Sequence, residues 1–320
     1  VRRNGVSQRL AQYPALNETD HLLTKILQSE NLSLAWKQVR ANKGAPGVDN
    51  VTVDEFPAIN REEWDDIQSL IEAGNYQPSP VKRVYLEKDD GSQRIIGIPI
   101  VRDRVIEQAI VQVLSPIYEQ QFSDSSFGFR PGRSCHDAIH RVQQYVKEGY
   151  KIAVDVDLSK FFDRIDHDIL MSLIGNNIDD KPLKRLIGQF LRAGAEEKGQ
   201  FCPSTIGAPQ GSPLSPLLSN IVLDVLDKEL EKRGHRFVRY CDDFIILVKS
   251  QRAGDRVLSS ITRFLEKRLK LTVNETKSQV APINQCKFLG FSIKRFTEFH
   301  NIHTMLTQCW TYWWTWIGLT

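Results

Sequence analysis

Two adjacent carboxylates, Asp242 and Asp243, stand between two short apolar stretches of the chain. Aromatic and β-branched residues flank the pair over residues 236–241 and 244–248, which predicts two strands joined by a turn. Adjacent ionised carboxylates repel each other, and a hard divalent cation with oxygen ligands relieves that repulsion. The pair therefore indicates a metal site, with a solvated acidic turn as the alternative.

A second acidic strand favours the metal site. Apolar and polar residues alternate over residues 151–159, the period of a strand with one buried face. Asp155 and Asp157 are then on the same face, and Asp157 comes at the end of the strand. A carboxylate there, beside the acidic hairpin, could hold two metal ions that activate an attacking hydroxyl and stabilise a leaving pyrophosphate.

Three motifs make a family resemblance specific. They occupy residues 157–163, 209–216 and 240–243, in that order. The set resembles the reverse transcriptases encoded by bacterial group II introns and their group II-like relatives, over about residues 36–293. The resemblance implies an α+β right-hand polymerase, in which an antiparallel palm sheet packs on helices and fingers precede it.

The resemblance also implies a division of the chain. We expect residues 1–28 to be an N-terminal extension, 29–150 mainly fingers and 151–293 mainly palm. Residues 294–320 would be a truncated thumb stub or an atypical tail. Local patterns predict helices over residues 32–39, 62–72, 102–121, 136–147 and 253–269, hairpins over 81–98 and 287–293, and a strand and turn over 271–277.

In this family the metal ligands are carboxylates. The resemblance implies that Asp157 and Asp242 bind both metal ions, with Asp243 assisting. The backbone at Leu158 would offer a further oxygen. We expect two Mg²⁺ ions, for which Mn²⁺ could substitute.

The resemblance implies substrate contacts as well. Lys88 and Arg94, near the tip of the hairpin over residues 81–98, would hold the incoming triphosphate, and a solvated basic tip is the alternative. Lys277 would stand near the departing pyrophosphate as a proton donor, or be a solvated lysine. Gln210 and Gly211 would contact the template and the pairing nucleotide, since glycine lets the backbone approach a ligand closely.

Phe162 follows Asp157 by five residues. In the family a bulky residue there blocks the ribose 2′-hydroxyl and gives deoxynucleotide preference. Core packing is the alternative, and both roles can hold at once. His167, in contrast, is expected to be structural.

Composition argues against several other classes of protein. The net charge of +3 is only mildly basic and does not by itself argue for nucleic acid. The 5 cysteines are scattered without a Cys-x-x-Cys spacing, which disfavours a zinc site or a disulfide framework. No membrane-length apolar run occurs. We expect no membrane partner and a nucleic-acid-associated protein of the bacterial cytoplasm.

The last residues depart from the family pattern. Trp310, Trp313, Trp314 and Trp316 crowd a short apolar stretch where family members continue into a helical thumb. Such a patch predicts a protein partner or a homodimer.

These observations predict an enzyme, an RNA-directed DNA polymerase from a group II intron or related retroelement. It would add dNTPs to the 3′ end of a DNA or RNA primer on an RNA template, and intron RNA could be a further partner. One alternative is an RNA-binding maturase or structural cofactor with an idle polymerase site. Another is an RNA polymerase on the same palm, which the bulk of Phe162 disfavours.

Overall fold

The computed structural model describes residues 21–60, 63–87, 91 and 93–292, except the side chains of residues 59 and 60. The helices are α1 Leu22–Ile26, α2 Ser29–Asn42, α3 Phe56–Asn60, α4 Trp64–Glu72, α5 Val101–Glu119, α6 Cys135–Lys147, α7 His167–Gly175, α8 Lys181–Leu191, α9 Ser215–Lys232 and α10 Gln251–Phe264. The strands are β1 Val81–Glu87, β2 Gln93–Ile98, β3 Ile152–Val156, β4 Ala195–Glu197, β5 Gln200–Cys202, β6 Arg236–Tyr240, β7 Asp243–Val248, β8 Gln279–Pro282, β9 Lys287–Phe288 and β10 Phe291–Ser292.

The sheet that carries the acidic residues has the strand order β6-β7-β3-β8, with every pairing antiparallel. Its two central strands, β3 and β7, are buried over most of their length, as their valines, isoleucines and leucines require. The hairpin predicted around the acidic pair is confirmed, with one change. Tyr240 pairs with Asp243, so Asp243 already belongs to β7 and the turn consists of Cys241 and Asp242.

A second sheet has the order β2-β1-β4-β5. Its antiparallel β1–β2 hairpin confirms the prediction for residues 81–98, and the predicted tip residue Lys88 lies outside the described residues. β1 also pairs in parallel with β4, where Val81 lies opposite Ala195. A strand from the predicted palm thereby continues the sheet of the predicted fingers.

One large hydrophobic core joins the two predicted regions. It contains apolar side chains from α1, α2 and α5 together with side chains from β3, β7 and α7–α10. The amphipathic stretch predicted over residues 102–121 is confirmed as α5, whose apolar face lies in this core. The predicted α+β class, with helices packed on antiparallel sheets, is confirmed.

Some local predictions need correction. The strand and turn predicted over residues 271–277 are confirmed in part: the turn is present at residues 275–277, but the strand is reduced to an isolated bridge between Val273 and Leu158, and the next strand is β8, Gln279–Pro282. Asn274 causes the difference. Its Oδ1 accepts from the backbone N and the hydroxyl of Thr276 at 3.2 and 2.8 Å, so the chain turns. The helix predicted over residues 253–269 begins at Gln251, because the Ser250 hydroxyl caps it, and its last turn is π-helical over Leu265–Leu269.

The hairpin predicted over residues 287–293 is confirmed for β9 and β10, whose Phe288 and Phe291 are paired, while Ile293 lies outside the described residues. The tryptophan-rich stretch and residues 1–20 lie outside them too. Among the helices of the described ranges, none is long and apolar enough to cross a bilayer.

Candidate active site

The turn between β6 and β7 places the acidic pair at one end of the central sheet. It is a two-residue turn, and its first residue, Cys241, has a left-handed φ of 60°. Tight hairpin turns require such a positive φ because it matches the twist of the flanking strands. Asp242 in this turn is partly buried, and Asp243, the first residue of β7, is exposed.

Asp157 reaches the same end of the sheet on the neighbouring strand. Val156, the last residue of β3, lies opposite Phe244, so Asp157 follows at the level of Asp243. The Asp157 backbone is held on both sides, since its N donates to Ser278 Oγ at 3.0 Å and its O accepts from Asn274 N at 2.8 Å. The structure therefore brings three of the predicted carboxylates together.

Electrostatics confirm that this cluster is acidic and crowded. Desolvation, together with the nearby charges of Asp242, Asp157 and Asp155, raises the pKa of Asp243 to about 7. Desolvation also raises the pKa of Asp242, with Asp157 adding to it. Burial raises the pKa of Asp155, which accepts a hydrogen bond from Gln279.

The donor chemistry of the cluster fits a hard divalent cation. Carboxylate oxygens and a backbone carbonyl are the ligands such ions prefer, and a cation would relieve the repulsion that raises these pKa values. Within the described part of the chain, no three His, Cys, Asp or Glu side chains form a preformed metal-ligating group. Binding two ions at Asp157, Leu158, Asp242 and Asp243 stays a prediction.

Arg94 supplies positive charge to this cluster. It lies on β2, opposite Leu86, and is partly buried. Its charge lowers the pKa of Asp242 and of Asp243, so Arg94 is within electrostatic reach of the acidic turn. The predicted partner of Arg94, Lys88, lies outside the described residues.

Gln210 and Gly211 lie against the same hairpin. Gly97 N donates to Gln210 O at 2.6 Å, and a Cβ on Gly211 would lie 2.7 Å from Gly97 O. With a φ of 115° and this close approach, only glycine fits position 211. We expected the backbone at Gly211 to approach a ligand closely. In the structure its close neighbour is Gly97 of β2.

A cavity of about 510 Å³ opens between α2, α5, β2 and the turn that begins α9. Gly211 and Ser212 line it on one side and Tyr240, two residues before Asp242, on another. Basic and polar side chains complete the wall: Gln38, Asn42, Arg104, Gln108, Arg130 and Arg133. Apolar side chains line it as well: Val39, Ala45, Ile96, Ile98, Phe129 and Pro131.

Phe162 is 3% exposed and belongs to the main core. Its ring meets that of Phe161 edge to face, with centroids 5.0 Å apart, and its carbonyl accepts from Ala208 N at 2.8 Å. The core-packing role is confirmed, and contact with a ribose stays a prediction. Lys277 is exposed on the turn that follows Asn274, so its role also stays a prediction.

His167 is structural, as predicted. It is buried at the start of α7, and its Nε2 lies 2.7 Å from the carbonyl oxygen of Gly207. This contact ties α7 to the segment that leads into the Gln210–Gly211 turn.

Sequence reasoning missed a buried charged network behind the turn. Arg239 and Asp227 are both fully buried and form an ion pair of 2.6 Å between Nη2 and Oδ2. Desolvation lowers the pKa of the Arg239 guanidinium. The charge of Asp227 and its hydrogen bonds raise that pKa by more, so the net shift is upward. The signal was present, since a charged residue in a buried strand and an acid on an apolar helix face need partners.

Glu107 on α5 was missed as well. It is 3% exposed, and its Oε1 accepts from the Ser212 hydroxyl at 2.7 Å, while its Oε2 has no hydrogen-bond partner in the described structure. Desolvation, with a smaller contribution from Asp103, raises the pKa of Glu107 to about 8. The sequence signal for a buried Glu107 was its position among the apolar residues of the predicted helix over residues 102–121.

Comparisons with known proteins agree with this geometry. The family model described as reverse transcriptase (RNA-dependent DNA polymerase) matches residues 86–293. Protein YkfC of Escherichia coli K12 is 31% identical over 334 residues, which cover 91% of this chain and 88% of YkfC. The group II intron-encoded protein LtrA of Lactococcus lactis is 30% identical over 84% of this chain and 56% of its own length, so the chain spans about half of LtrA.

A telomerase structure from Candida tropicalis, solved with a fragment of telomeric RNA, shares the fold alone. Its TM-score is 0.52 at 15% identity, over 78% of this chain and 52% of the telomerase chain. Reverse transcriptases act on an RNA template and use divalent metal ions. The matched motifs, the sheet and the acidic cluster together show that this chain belongs to the reverse transcriptase family of RNA-dependent DNA polymerases.

Proposed function

We propose that this chain adds dNTPs to the 3′ end of a DNA or RNA primer as directed by an RNA template. The observation that carries the proposal is the meeting of Asp157, Asp242 and Asp243 at neighbouring strand ends. Desolvation and their mutual repulsion both raise the pKa of Asp243, and a protein retains such a cost where charge has a function.

The ligands in the proposal are the carboxylates of Asp157, Asp242 and Asp243 and the backbone oxygen of Leu158. We assign them two Mg²⁺ ions, for which Mn²⁺ substitutes. When bound, such ions activate the primer hydroxyl and stabilise the leaving pyrophosphate. The support is the all-oxygen donor set and the unrelieved negative charge of the cluster.

Substrate binding follows from the position of the β1–β2 hairpin. Arg94, whose charge reaches Asp242, would bind the triphosphate, and Lys88 would assist. Lys277, on the turn that follows Asn274, would give a proton to the pyrophosphate. Phe162 would exclude the ribose 2′-hydroxyl.

The template strand is assigned to the cavity beside the acidic turn. Gln210 and Gly211 would contact the templating and pairing nucleotides there. The support is that Gly211, Ser212 and Tyr240 line this cavity together with three arginines, Arg104, Arg130 and Arg133.

Wider partners follow from the relatives. LtrA is named as a group II intron-encoded protein, which supports intron RNA as a partner of this chain. A protein partner or homodimer through the tryptophan-rich tail, and a location in the bacterial cytoplasm, remain proposals.

Primer extension on an annealed RNA template with Mg²⁺ and dNTPs tests the proposal, with Asp157→Ala as the comparison and RNA binding measured in parallel. We expect extension by the wild type only and RNA binding by both proteins. If both bind RNA and neither extends, the chain is an RNA-binding maturase or structural cofactor with an idle site. Preferential use of ribonucleotides would instead indicate an RNA polymerase.

A further inference from the structure

The guanidinium of Arg239 is enclosed behind the catalytic turn. Arg239 lies on β6, three residues before Asp242, and is 0% exposed. Its Nη1 donates to the carbonyl oxygen of Cys241 at 2.9 Å. A buried cation therefore holds the backbone of the residue that directly precedes Asp242.

Helix α9 fixes the other side of this guanidinium. Nε donates to Asp227 Oδ1 at 2.8 Å, Nη2 donates to Asp227 Oδ2 at 2.6 Å, and Nη1 also donates to Asn220 Oδ1 at 2.8 Å. Such a two-pronged pairing sets the plane of the guanidinium as well as its position. Asp227 and Asn220 are themselves buried, so α9 determines where the donor to Cys241 lies.

The loop over residues 123–134 supports the turn from a further side. Asn220 Nδ2 donates to Gly128 O at 2.9 Å, and Phe127 N donates to Arg239 O at 2.8 Å. Gly128 lies so close to the turn that a Cβ there would collide with the backbone N of Cys241. Three segments of the chain thus converge on one peptide group.

The conformation of Cys241 explains why such support is needed. Its φ of 60° is uncommon for a non-glycine residue and persists where the surroundings fix it. The carbonyl held by Arg239 belongs to the peptide that links Cys241 to Asp242. A rotation of that peptide would turn the Asp242 carboxylate away from Asp157.

We propose that Arg239 is a positioning residue of the polymerase site, which holds Asp242 in its working orientation through the Cys241 carbonyl. This inference rests on the proposed function, because the orientation of Asp242 matters only if that carboxylate binds a metal ion. The competing explanation is that the Arg239–Asp227 pair contributes to folding alone.

Two variants separate these explanations. Arg239→Met combined with Asp227→Leu removes the bond to Cys241 but leaves no unpaired buried charge, and such replacements are often neutral or stabilising. Val238→Ala, at a fully buried position on the same strand, removes core packing and keeps the Cys241 bond. For each protein we would measure the melting temperature, single-turnover incorporation with the KM for dNTP, and Mn²⁺ affinity without nucleic acid.

We expect the double variant to melt near the wild type, while its incorporation rate and Mn²⁺ affinity fall about 10- to 100-fold with an unchanged KM. Val238→Ala should melt lower and keep both properties. If the double variant does not fold, Arg239→Lys takes its place, since lysine keeps the charge but not the fork. If Arg239→Lys and Val238→Ala lower the melting temperature equally, Arg239→Lys should still show the larger fall in incorporation rate and Mn²⁺ affinity.

A folded Arg239 variant with wild-type rate and Mn²⁺ affinity would overturn the proposal. Equal losses in Val238→Ala would overturn it too, because rate would then follow stability alone. The Mn²⁺ affinity is measured without turnover, and Asp242→Asn gives the binding that remains when the Asp242 carboxylate is absent. A wild type that bound Mn²⁺ through Asp242 but extended no primer would reject the proposed function and still test the positioning of Asp242.

Discussion

At the scale of single residues, two adjacent phenylalanines offer a clean comparison. Phe161 and Phe162 are buried to the same degree and contact each other edge to face. Either change to alanine should cost about 3–5 kcal/mol of stability, because each leaves a cavity in the same core. Only Phe162 is predicted to meet the ribose.

Phe162→Ala should therefore increase ribonucleotide incorporation relative to deoxynucleotide incorporation, while Phe161→Ala should not. The measurement is the ratio of kcat/KM for a matched rNTP and dNTP, taken below both melting temperatures. An equal ratio in the two variants would show that Phe162 packs the core and nothing else.

Glu107 should make stability depend on pH. Its pKa is about 8 in the folded protein against an ordinary value of 4.5, so the folded state holds a proton that the unfolded state releases between these values. The free energy of unfolding should therefore fall as pH rises from about 4.5 to 8. Glu107→Gln keeps the acceptor for Ser212 and removes this loss.

Thermal unfolding of wild type and Glu107→Gln from pH 5 to 8.5 would measure this effect. The variant should gain stability over the wild type as pH rises, whereas Glu72→Gln, at an exposed position of α4, should give a constant difference. A gain for Glu107→Gln that is the same at every pH would contradict the raised pKa.

At the scale of elements, the β1–β2 hairpin delivers charge to the acidic turn. Arg94→Ala should raise the KM for dNTP by roughly ten- to a hundred-fold, the loss expected for a charged hydrogen bond. Arg83→Ala removes the same charge from β1, where Arg83 pairs with Glu197 at 3.2 Å, and should leave that KM unchanged. A similar KM in both variants would reject the assignment of Arg94.

The contact between Gly128, in the loop over residues 123–134, and the acidic turn is a second feature at the scale of elements. Gly128→Ala should lower both the melting temperature and the incorporation rate, because the new methyl group meets the backbone of Cys241 and cannot be accommodated by side-chain movement. Gly175→Ala, at the end of α7 with open space around it, is the matched control and should change neither by much. A fully active Gly128→Ala protein would show that the turn tolerates displacement.

At the scale of the whole molecule, local patterns were enough to predict the palm strands and the long helices. Alternation over residues 151–159 and the apolar flanks of Asp242 and Asp243 depend only on neighbours in sequence. The buried charges could not be placed in this way. Glu107 bonds Ser212, 105 residues away, and Arg239 reaches back to α9, so their partners exist only in the folded chain.

The same reasoning explains the partial success at the site. The ordered motifs identified the carboxylates, and the structure brings Asp157, Asp242 and Asp243 to one end of the sheet. The motifs did not reveal that Gly211 packs on Gly97, because β2 and the 207–214 segment are far apart in sequence. Of the strand and turn predicted at residues 271–277, the turn is present and the strand is reduced to a bridge at Val273, because the side chain of Asn274 accepts from the backbone N of Thr276.

The central claim is that the acidic cluster performs nucleotide addition. Single-nucleotide incorporation on an RNA template with Mg²⁺, by wild type, Asp242→Asn and the exposed-site control Asp255→Asn, tests it most directly. We predict that wild type and Asp255→Asn incorporate at similar rates, and that Asp242→Asn binds the same RNA but loses incorporation by at least about a thousand-fold. Wild-type incorporation by Asp242→Asn would contradict the account.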